Sequence, residues 1–243
     1  MKIGVAQTRP VKGDIQSNIF NHGKIINVAV LKGADAIFFP ELSLTGYEPK
    51  LAKELATDQG DTRFEVFQKI SDAKNITIGV GMPTKANPGI LISMIIFQPH
   101  CPRQTYSKQH LHPDEFPYFV NGHQQLFLNG CNRKISPAIC YELSVPEHAD
   151  HASENGAEIY LASVAKTMIG TKNAIETLSG IAKKHSMITL MSNCIGLCDS
   201  FECAGQTSIW NPEGVLAGQL DDTCEGILII DTETREVIKK QIE

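Results

Sequence analysis

The 243-residue sequence has no long apolar run. Stretches such as Gly89 to Phe97 and Gly226 to Ile230 fall far short of the ~20 residues that a membrane-spanning helix needs. Met1 leads straight into Lys2-Ile3-Gly4-Val5-Ala6, without the basic, apolar and small-residue succession of a secretory leader. Positive charge is not in excess: 22 Lys+Arg face 27 Asp+Glu, a net charge of −5, which gives no overall attraction for nucleic acid or a membrane surface. The seven cysteines are odd in number and form no CxxC pair, so a disulfide framework is excluded and reduced thiols in the cytoplasm are expected. Gly and Pro are near average, which removes collagen-like and low-complexity classes. What is present is 42% hydrophobic and 20% charged residues, the balance of a packed globule.

No linker, charge block or repeat interrupts the chain, so a single domain over residues 1–243 is expected. Short apolar runs alternate with helical patterns. Strands are expected at Lys2–Gln7, Ala34–Phe39, Asn75–Met82, Ile90–Gln98, Arg103–Lys108, Gln124–Leu128, Arg133–Ile139, Ala157–Ser163, Met187–Ser192, Ala204–Asn211 and, last, Glu225–Asp231. Helices are expected at Ile15–Gly33, Thr62–Lys74, Pro146–Asn155 and Lys172–His185, and a loop at Gln109–His123. Such alternation argues for α/β packing.

Cys140 closes an apolar strand and precedes a helix for which Ser144 is a plausible N-cap. A nucleophile on a strand-to-helix turn is pushed out of the sheet, with the next backbone N–H, that of Tyr141, aimed at a developing oxyanion. The nearby helix N-terminus would favour thiolate. Glu41 directly follows the strand ending at Phe39-Pro40, at the sheet edge where α/β ligand sites lie; burial there would raise its pKa into the range of a useful base. Lys108 follows another strand, where it would be a fixed cation beside a carboxylate. Taken singly, each residue also reads as ordinary: a buried structural cysteine, a surface glutamate, a solvated lysine.

Together they belong to a set. Phe39-Pro40-Glu41-Leu42-Ser43-Leu44-Thr45-Gly46-Tyr47, Tyr106-Ser107-Lys108-Gln109-His110-Leu111 and Ile139-Cys140-Tyr141-Glu142 with Pro146-Glu147 resemble the carbon–nitrogen hydrolase (nitrilase) superfamily. Val5-Ala6-Gln7, Gly13-Asp14 with Asn18, Asn155-Gly156-Ala157, Ser192-Asn193-Cys194-Ile195-Gly196 and Gly205-Gln206-Thr207-Ser208 with Pro212-Glu213-Gly214 extend the likeness over the whole chain, in the family's order. The resemblance implies a four-layer αββα sandwich of two mixed sheets. It also implies a triad of Glu41 as general base, Lys108 as cation and Cys140 as nucleophile, with no metal or organic cofactor. A second glutamate after the lysine matches Glu115, with Asp114 as competitor. The implied activity is hydrolysis of a small non-peptide amide through a thioester, in a homodimer or higher homo-oligomer. An N-carbamoyl amine hydrolase and a catalytically silent dimeric binding module are the alternatives; silent members usually lack part of the triad.

The segment after the Ala157–Ser163 strand, Ser163-Val164-Ala165-Lys166, is expected to help form the substrate wall. Its small residues leave room, and Lys166 either meets an anionic substrate end or is a solvated loop lysine. Glu142 stands where many soluble amidases have Asp and reads as a hydrogen-bonding group behind the site. Tyr-Glu after the cysteine, in place of Trp-Glu, favours an amide over a nitrile. Gly180-Ile181 replaces the family's usual arginine-alanine pair, so no carboxylate anchor is assumed there. No stretch of these residues reads as an ammonia-consuming synthetase domain, so a glutamine-fed synthetase is not expected of this chain alone. Cys194, Cys198 and Cys203, with Asp199 near, match no common zinc spacing, and no metal site is expected there. His110, His112 and His123 are expected at the mouth of the active site and not as metal ligands. A papain-like Cys–His pair would need an oriented histidine and different motifs around Cys140.

Overall fold

The computed structural model describes residues 1–130 and 133–242. One sheet contains β1 (Lys2–Gln7), β2 (Ala36–Phe38), β3 (Thr77–Lys85), β4 (Ile90–Phe97), β5 (Gln104–Ser107), β14 (Glu225–Asp231) and β15 (Val237–Ile242), in the order β15-β14-β1-β2-β3-β4-β5. The other contains β6 (Leu128–Gly130), β7 (Arg133–Ile139), β8 (Ile159–Val164), β9 (Ile188–Asn193), β12 (Ser208–Trp210) and β13 (Leu216–Gln219), in the order β13-β12-β9-β8-β7-β6. A separate hairpin pairs β10 (Ile195–Cys198) with β11 (Phe201–Ala204). Both sheets are mixed: β1, β2 and β3 run parallel in the first, β7, β8 and β9 in the second, and antiparallel strands flank each trio.

The layers follow from which side chains each sheet buries. Ile3, Val5, Phe38 and Met94 of the first sheet share one core with Ile135, Leu161, Leu190 and Ile209 of the second. The opposite face of the first sheet packs Ile37, Ile78 and Ile229 against α1 (Ile15–Leu31) and α3 (Glu65–Lys74), through Ile19, Ile26 and Phe67. The opposite face of the second packs Ala162, Met191 and Trp210 against α4 (Pro146–Glu154) and α5 (Met168–His185), through Ala152 and Leu178. The result is helix–sheet–sheet–helix, the expected αββα sandwich. A short α2 (Ala52–Leu55) lies between β2 and α3. Strands buried on both faces have apolar middles bounded by polar ends, which is why β1 and β14 are legible to the residue.

Two serines bolt the sheets together at the carboxyl ends of the parallel strands. Ser163 Oγ donates to the Phe39 carbonyl at 2.7 Å, and Ser192 Oγ to the Ala6 carbonyl at 2.6 Å. Gln7 completes the seam, donating to the Asp221 and Cys224 carbonyls and accepting the Thr207 N–H.

Several expected elements differ. The Ala204–Asn211 strand is two strands, because Gly205 and Gln206 both take left-handed backbone (φ +58° and +55°) and the chain turns. The strand expected at Gln124–Leu128 begins only at Leu128, since Gln125 turns its side chain to Ser136 and His148. α5 starts at Met168 rather than Lys172: Thr167 caps it by accepting the Gly170 N–H at 3.2 Å, a start hidden by the glycine. Glu225–Asp231 is not the last strand; β15 adds an edge strand whose Lys239-Lys240-Gln241 are exposed.

Candidate active site

Three turns at the sheet edges carry the candidate triad. Glu41 lies in the turn after β2. Asn18 of α1 holds that turn, its amide donating to the Val11 and Leu44 carbonyls while its oxygen accepts the Val11 N–H. His22, stacked on Phe39 at 4.0 Å, bonds Ser43 Oγ at 2.9 Å; burial pushes its pKa down to about 3, so the ring is neutral. The turn crosses β3 at Gly81, where a Cβ would fall 2.3 Å from the Leu42 nitrogen and 2.4 Å from the Pro40 oxygen. Only glycine leaves room for that crossing.

Lys108 ends β5. Its carbonyl accepts the Gly122 N–H at 2.7 Å, closing the loop that the sequence places at Gln109–His123. A Cβ on Gly122 would sit 2.2 Å from the Ser107 oxygen. Inside this loop a 3-10 turn, Pro113–Glu115, aims Glu115 inward, and its Oε2 accepts the His112 N–H at 2.7 Å.

Cys140 follows β7 with φ +46°, a left-handed backbone that a cysteine adopts only when its surroundings enforce it. Glu142 supplies the enforcement. Its buried carboxylate accepts the Ile139 N–H at 2.6 Å, the Gln109 N–H at 2.6 Å and the Tyr106 hydroxyl at 2.7 Å. The segment Cys140–Ser144 is a 3-10 turn, and α4 begins after it with Val145, not Ser144, at the cap. As the second residue of that turn, Tyr141 has a backbone N–H with no acceptor within the turn, free to serve an oxyanion.

The ammonium of Lys108 joins the carboxylates. Nζ donates to Glu41 Oε1 at 2.8 Å and to Glu115 Oε1 at 2.7 Å, and Glu115 Oε1 also accepts the Tyr47 hydroxyl at 2.9 Å. Lys108 is 0%, Glu115 1% and Glu41 2% exposed, so these charges are sealed from water. Glu41 Oε2 has no hydrogen-bond partner among the described residues, although it is buried.

One cation serves two carboxylates, and the electrostatics follow. Burial pushes Glu41 up to about 7; Lys108 opposes the rise and Glu115 adds to it. Burial by itself would lower Lys108, but Glu41 and Glu115 outweigh it and hold the ammonium firmly charged. Burial and the Glu41 charge push the Cys140 thiol up to about 11, against the pull of Lys166 and Lys108. The expected thiolate is therefore not the resting form. The helix N-terminus is one turn too far along the chain, and the resting pair is a thiol beside a base that titrates near neutrality.

A cavity of ≈ 260 Å³ opens onto Cys140, lined among others by Tyr47, Glu115, Tyr141, Ala165, Lys166 and Phe201. Of the residues expected to bind substrate, Tyr141 and Ala165 line it. Ser163 and Val164 do not: Ser163 is spent on the Phe39 carbonyl and Val164 is packed in the core with α5. Glu142 lies behind the site, committed to its three donors, and does not line the cavity. Among the loop histidines, His112 lies on the cavity, against Tyr141, whereas His110 packs on His148 and His123 lines a separate groove. Asp114 also borders the cavity but is 80% exposed and pairs with His112, so Glu115 is the carboxylate that reaches Lys108.

Sequence reasoning passed over Tyr47 and Asn193 as site residues, although both stand in the quoted motifs. Asn193 accepts the Lys166 and Cys194 N–H groups at 3.0 Å and donates to the Gly205 carbonyl at 2.8 Å. It fixes the turn that carries Ala165 and Lys166. Spacing also gave no sign that Cys194, Cys198 and Cys203 converge, yet their sulfurs lie within 4.8 Å of one another. No helix among the described residues is long and apolar enough to cross a membrane.

A carbon-nitrogen hydrolase family model matches residues 2–239. The chain is 25% identical over 249 aligned residues to a glutamine-dependent NAD(+) synthetase of Acinetobacter baylyi, spanning 100% of this chain and 46% of that protein. It therefore covers about half the length of that relative. It is 26% identical over 187 residues to the 2-oxoglutaramate amidase of Bacillus subtilis, covering 75% of this chain and 72% of that one. In structure it resembles an amidase from Nesterenkonia sp. AN1 with a covalent acetamide adduct at its active-site cysteine: TM-score 0.86, 24% identity, 95% of this chain and 90% of that chain covered. With the family's ordered motifs gathered at one cavity and its model matched almost end to end, the chain belongs to the carbon-nitrogen hydrolase family.

Proposed function

We propose that the chain hydrolyses the C–N bond of a small non-peptide amide through a thioester on Cys140. The observation that carries this reading is the buried Lys108 ammonium, bonded to Glu41 at 2.8 Å and Glu115 at 2.7 Å beside the cavity that holds the thiol. Glu41 accepts the thiol proton as sulfur attacks the carbonyl carbon. Two of the three Lys108 N–H bonds are committed to carboxylates, which leaves one for the tetrahedral oxyanion. The Tyr141 N–H is the second donor, and each such donor contributes roughly 3 kcal/mol. Glu41 returns its proton to the leaving nitrogen, ammonia or an amine departs, and the thioester remains. Water, deprotonated by the same glutamate, adds to the thioester and releases the acid and the thiol. Glu115, anchored by Tyr47 and His112, orients the substrate amide or the water.

The small cavity supports a small substrate, and Lys166 on its wall supports one with an anionic end; no carboxylate pairs with Lys166 among the described residues. An ω-amide of a dicarboxylic acid has that chemistry, as does the 2-oxoglutaramate named for the Bacillus relative. Free thiols support a reducing, cytoplasmic setting. Exposed Met168 and Ile169 at the start of α5, with Leu197 on the hairpin, support association into a homodimer, to be read by light scattering at micromolar concentration.

The test is ammonia release from a panel of small amides, ω-amides including glutamine, carbamoyl amines and nitriles, with Cys140→Ala as blank. Release that is lost in the variant supports the reading; hydrolysis that survives in a folded Cys140→Ala protein ends it.

A further inference from the structure

Behind the cavity wall lies a second group of sulfurs. Cys194 precedes β10, Cys198 ends it, and Cys203 lies in β11 opposite Gly196. Along a strand, residues an even number apart share a face, so Cys194 and Cys198 point the same way. The ladder places Cys203 on that face too, across from Gly196. The three sulfurs close a triangle: Cys194–Cys203 3.1 Å, Cys198–Cys203 3.3 Å and Cys194–Cys198 3.7 Å. The residues are 1%, 1% and 2% exposed, inside a shell of Ala165, Tyr47 and Phe201.

We propose that Cys194, Cys198 and Cys203 form a three-thiolate site for a soft metal ion, zinc or cuprous. Thiolate sulfur selects these ions over hard cations. Zinc–sulfur bonds of ~2.3 Å at tetrahedral angles place ligand sulfurs about 3.8 Å apart, close to the longest side of the triangle and within small side-chain rotations of the others. The geometry points the same way: the three buried sulfurs bond one another, and all lie within 4.8 Å of one another. A bound ion would form three sulfur–metal bonds as the three thiol protons leave for solvent.

The site adjoins the catalytic cavity without being part of it. Tyr47 and Phe201 pack on the sulfurs and also line the cavity, and the Tyr47 hydroxyl holds Glu115. The ion would therefore stiffen the wall opposite Cys140. This inference is independent of the proposed hydrolysis.

The experiment uses the full chain as Cys140→Ala, reduced and freed of metal under anaerobic conditions, so that the nucleophile is not counted as a ligand. Zinc and cuprous ion are titrated separately against chromophoric chelators. One equivalent of either ion per chain is expected, with affinity falling roughly a hundredfold when Cys198→Ser or Cys203→Ser is added. In the same protein without further substitution, metal should protect Cys194, Cys198 and Cys203, but not Cys101 or Cys224, from alkylation, as read by peptide mass spectrometry. That readout stands even where a serine variant fails to fold. Uptake below about a tenth of an equivalent of both ions, or alkylation of the three cysteines indifferent to metal, overturns the proposal.

Discussion

The Glu142 carboxylate accepts the Gln109 backbone N–H at 2.6 Å, and through that bond the turn bearing Cys140 is fastened to the strand end bearing Lys108. Nucleophile and cation come from different sheets, so no local geometry sets their separation. One buried acid does. Glu142→Ala would leave the Ile139 and Gln109 N–H groups and the Tyr106 hydroxyl without their acceptor, at a cost of about 1–3 kcal/mol for each buried donor. A clear drop in unfolding midpoint is expected, with kcat falling at least tenfold and KM moving less. Unchanged kcat in the folded variant would show that the tether is dispensable.

The acid limb of the activity profile should report Glu41. The base works only when ionised, and burial pushes its pKa up to about 7. Below that point kcat/KM should fall about tenfold per pH unit, and above it should level off. Steady-state rates between pH 5 and 9 test this; a plateau extending down to pH 5 would remove Glu41 as the base.

The same shift carries a stability signature. A carboxyl whose folded pKa exceeds its unfolded value holds its proton more tightly when folded. As pH rises from 4.5 towards 7, the unfolded chain ionises first and the folded state loses ground, by about 3 kcal/mol for this one group. Glu41→Gln, which cannot ionise, should therefore gain on the wild type over that window. Urea unfolding of both proteins at pH 5 and pH 7 measures the difference, and parallel changes in the two would contradict the assignment.

Lys166 lines the cavity wall, and on the proposed reading its charge meets an anionic substrate end. Lys166→Ala should raise KM about tenfold for amides with a carboxylate end and leave neutral amides nearly unaffected, a loss of ground-state binding. Equal effects on both substrate types would place the residue elsewhere in the chemistry.

Gly81→Ala tests the turn that carries Glu41. The added methyl would sit 2.3 Å from the Leu42 nitrogen, against backbone that cannot yield cheaply. A loss of about 1–3 kcal/mol in stability is expected, together with a fall in kcat because Glu41 is displaced. Thermal unfolding and ammonia release on the same sample separate the two effects.

Much of the architecture is written locally. The buried strands are apolar runs, and β1, β7 and β14 match their expected bounds because a fully buried strand tolerates little else. Left-handed residues at Gly205 and Gln206 and a glycine inside the first turn of α5 blurred other boundaries, since such positions carry backbone information that periodicity does not read. Glu41, Lys108, Glu115 and Cys140 were nameable because each closes a strand or sits in a motif of fixed order.

The sequence by itself determined which groups are present: an acid, an ammonium and a thiol after strand ends and a second acid in a loop, in a chain patterned for two sheets. Only the tertiary structure decided their state. Packing the sheets face to face removes water from one ammonium shared by two carboxylates, so Glu41 is lifted towards neutrality and Cys140 keeps its proton. Tertiary structure also decided the meeting of Cys194, Cys198 and Cys203, whose spacing fits no familiar pattern, because the register of a hairpin, not distance along the chain, puts side chains on one face.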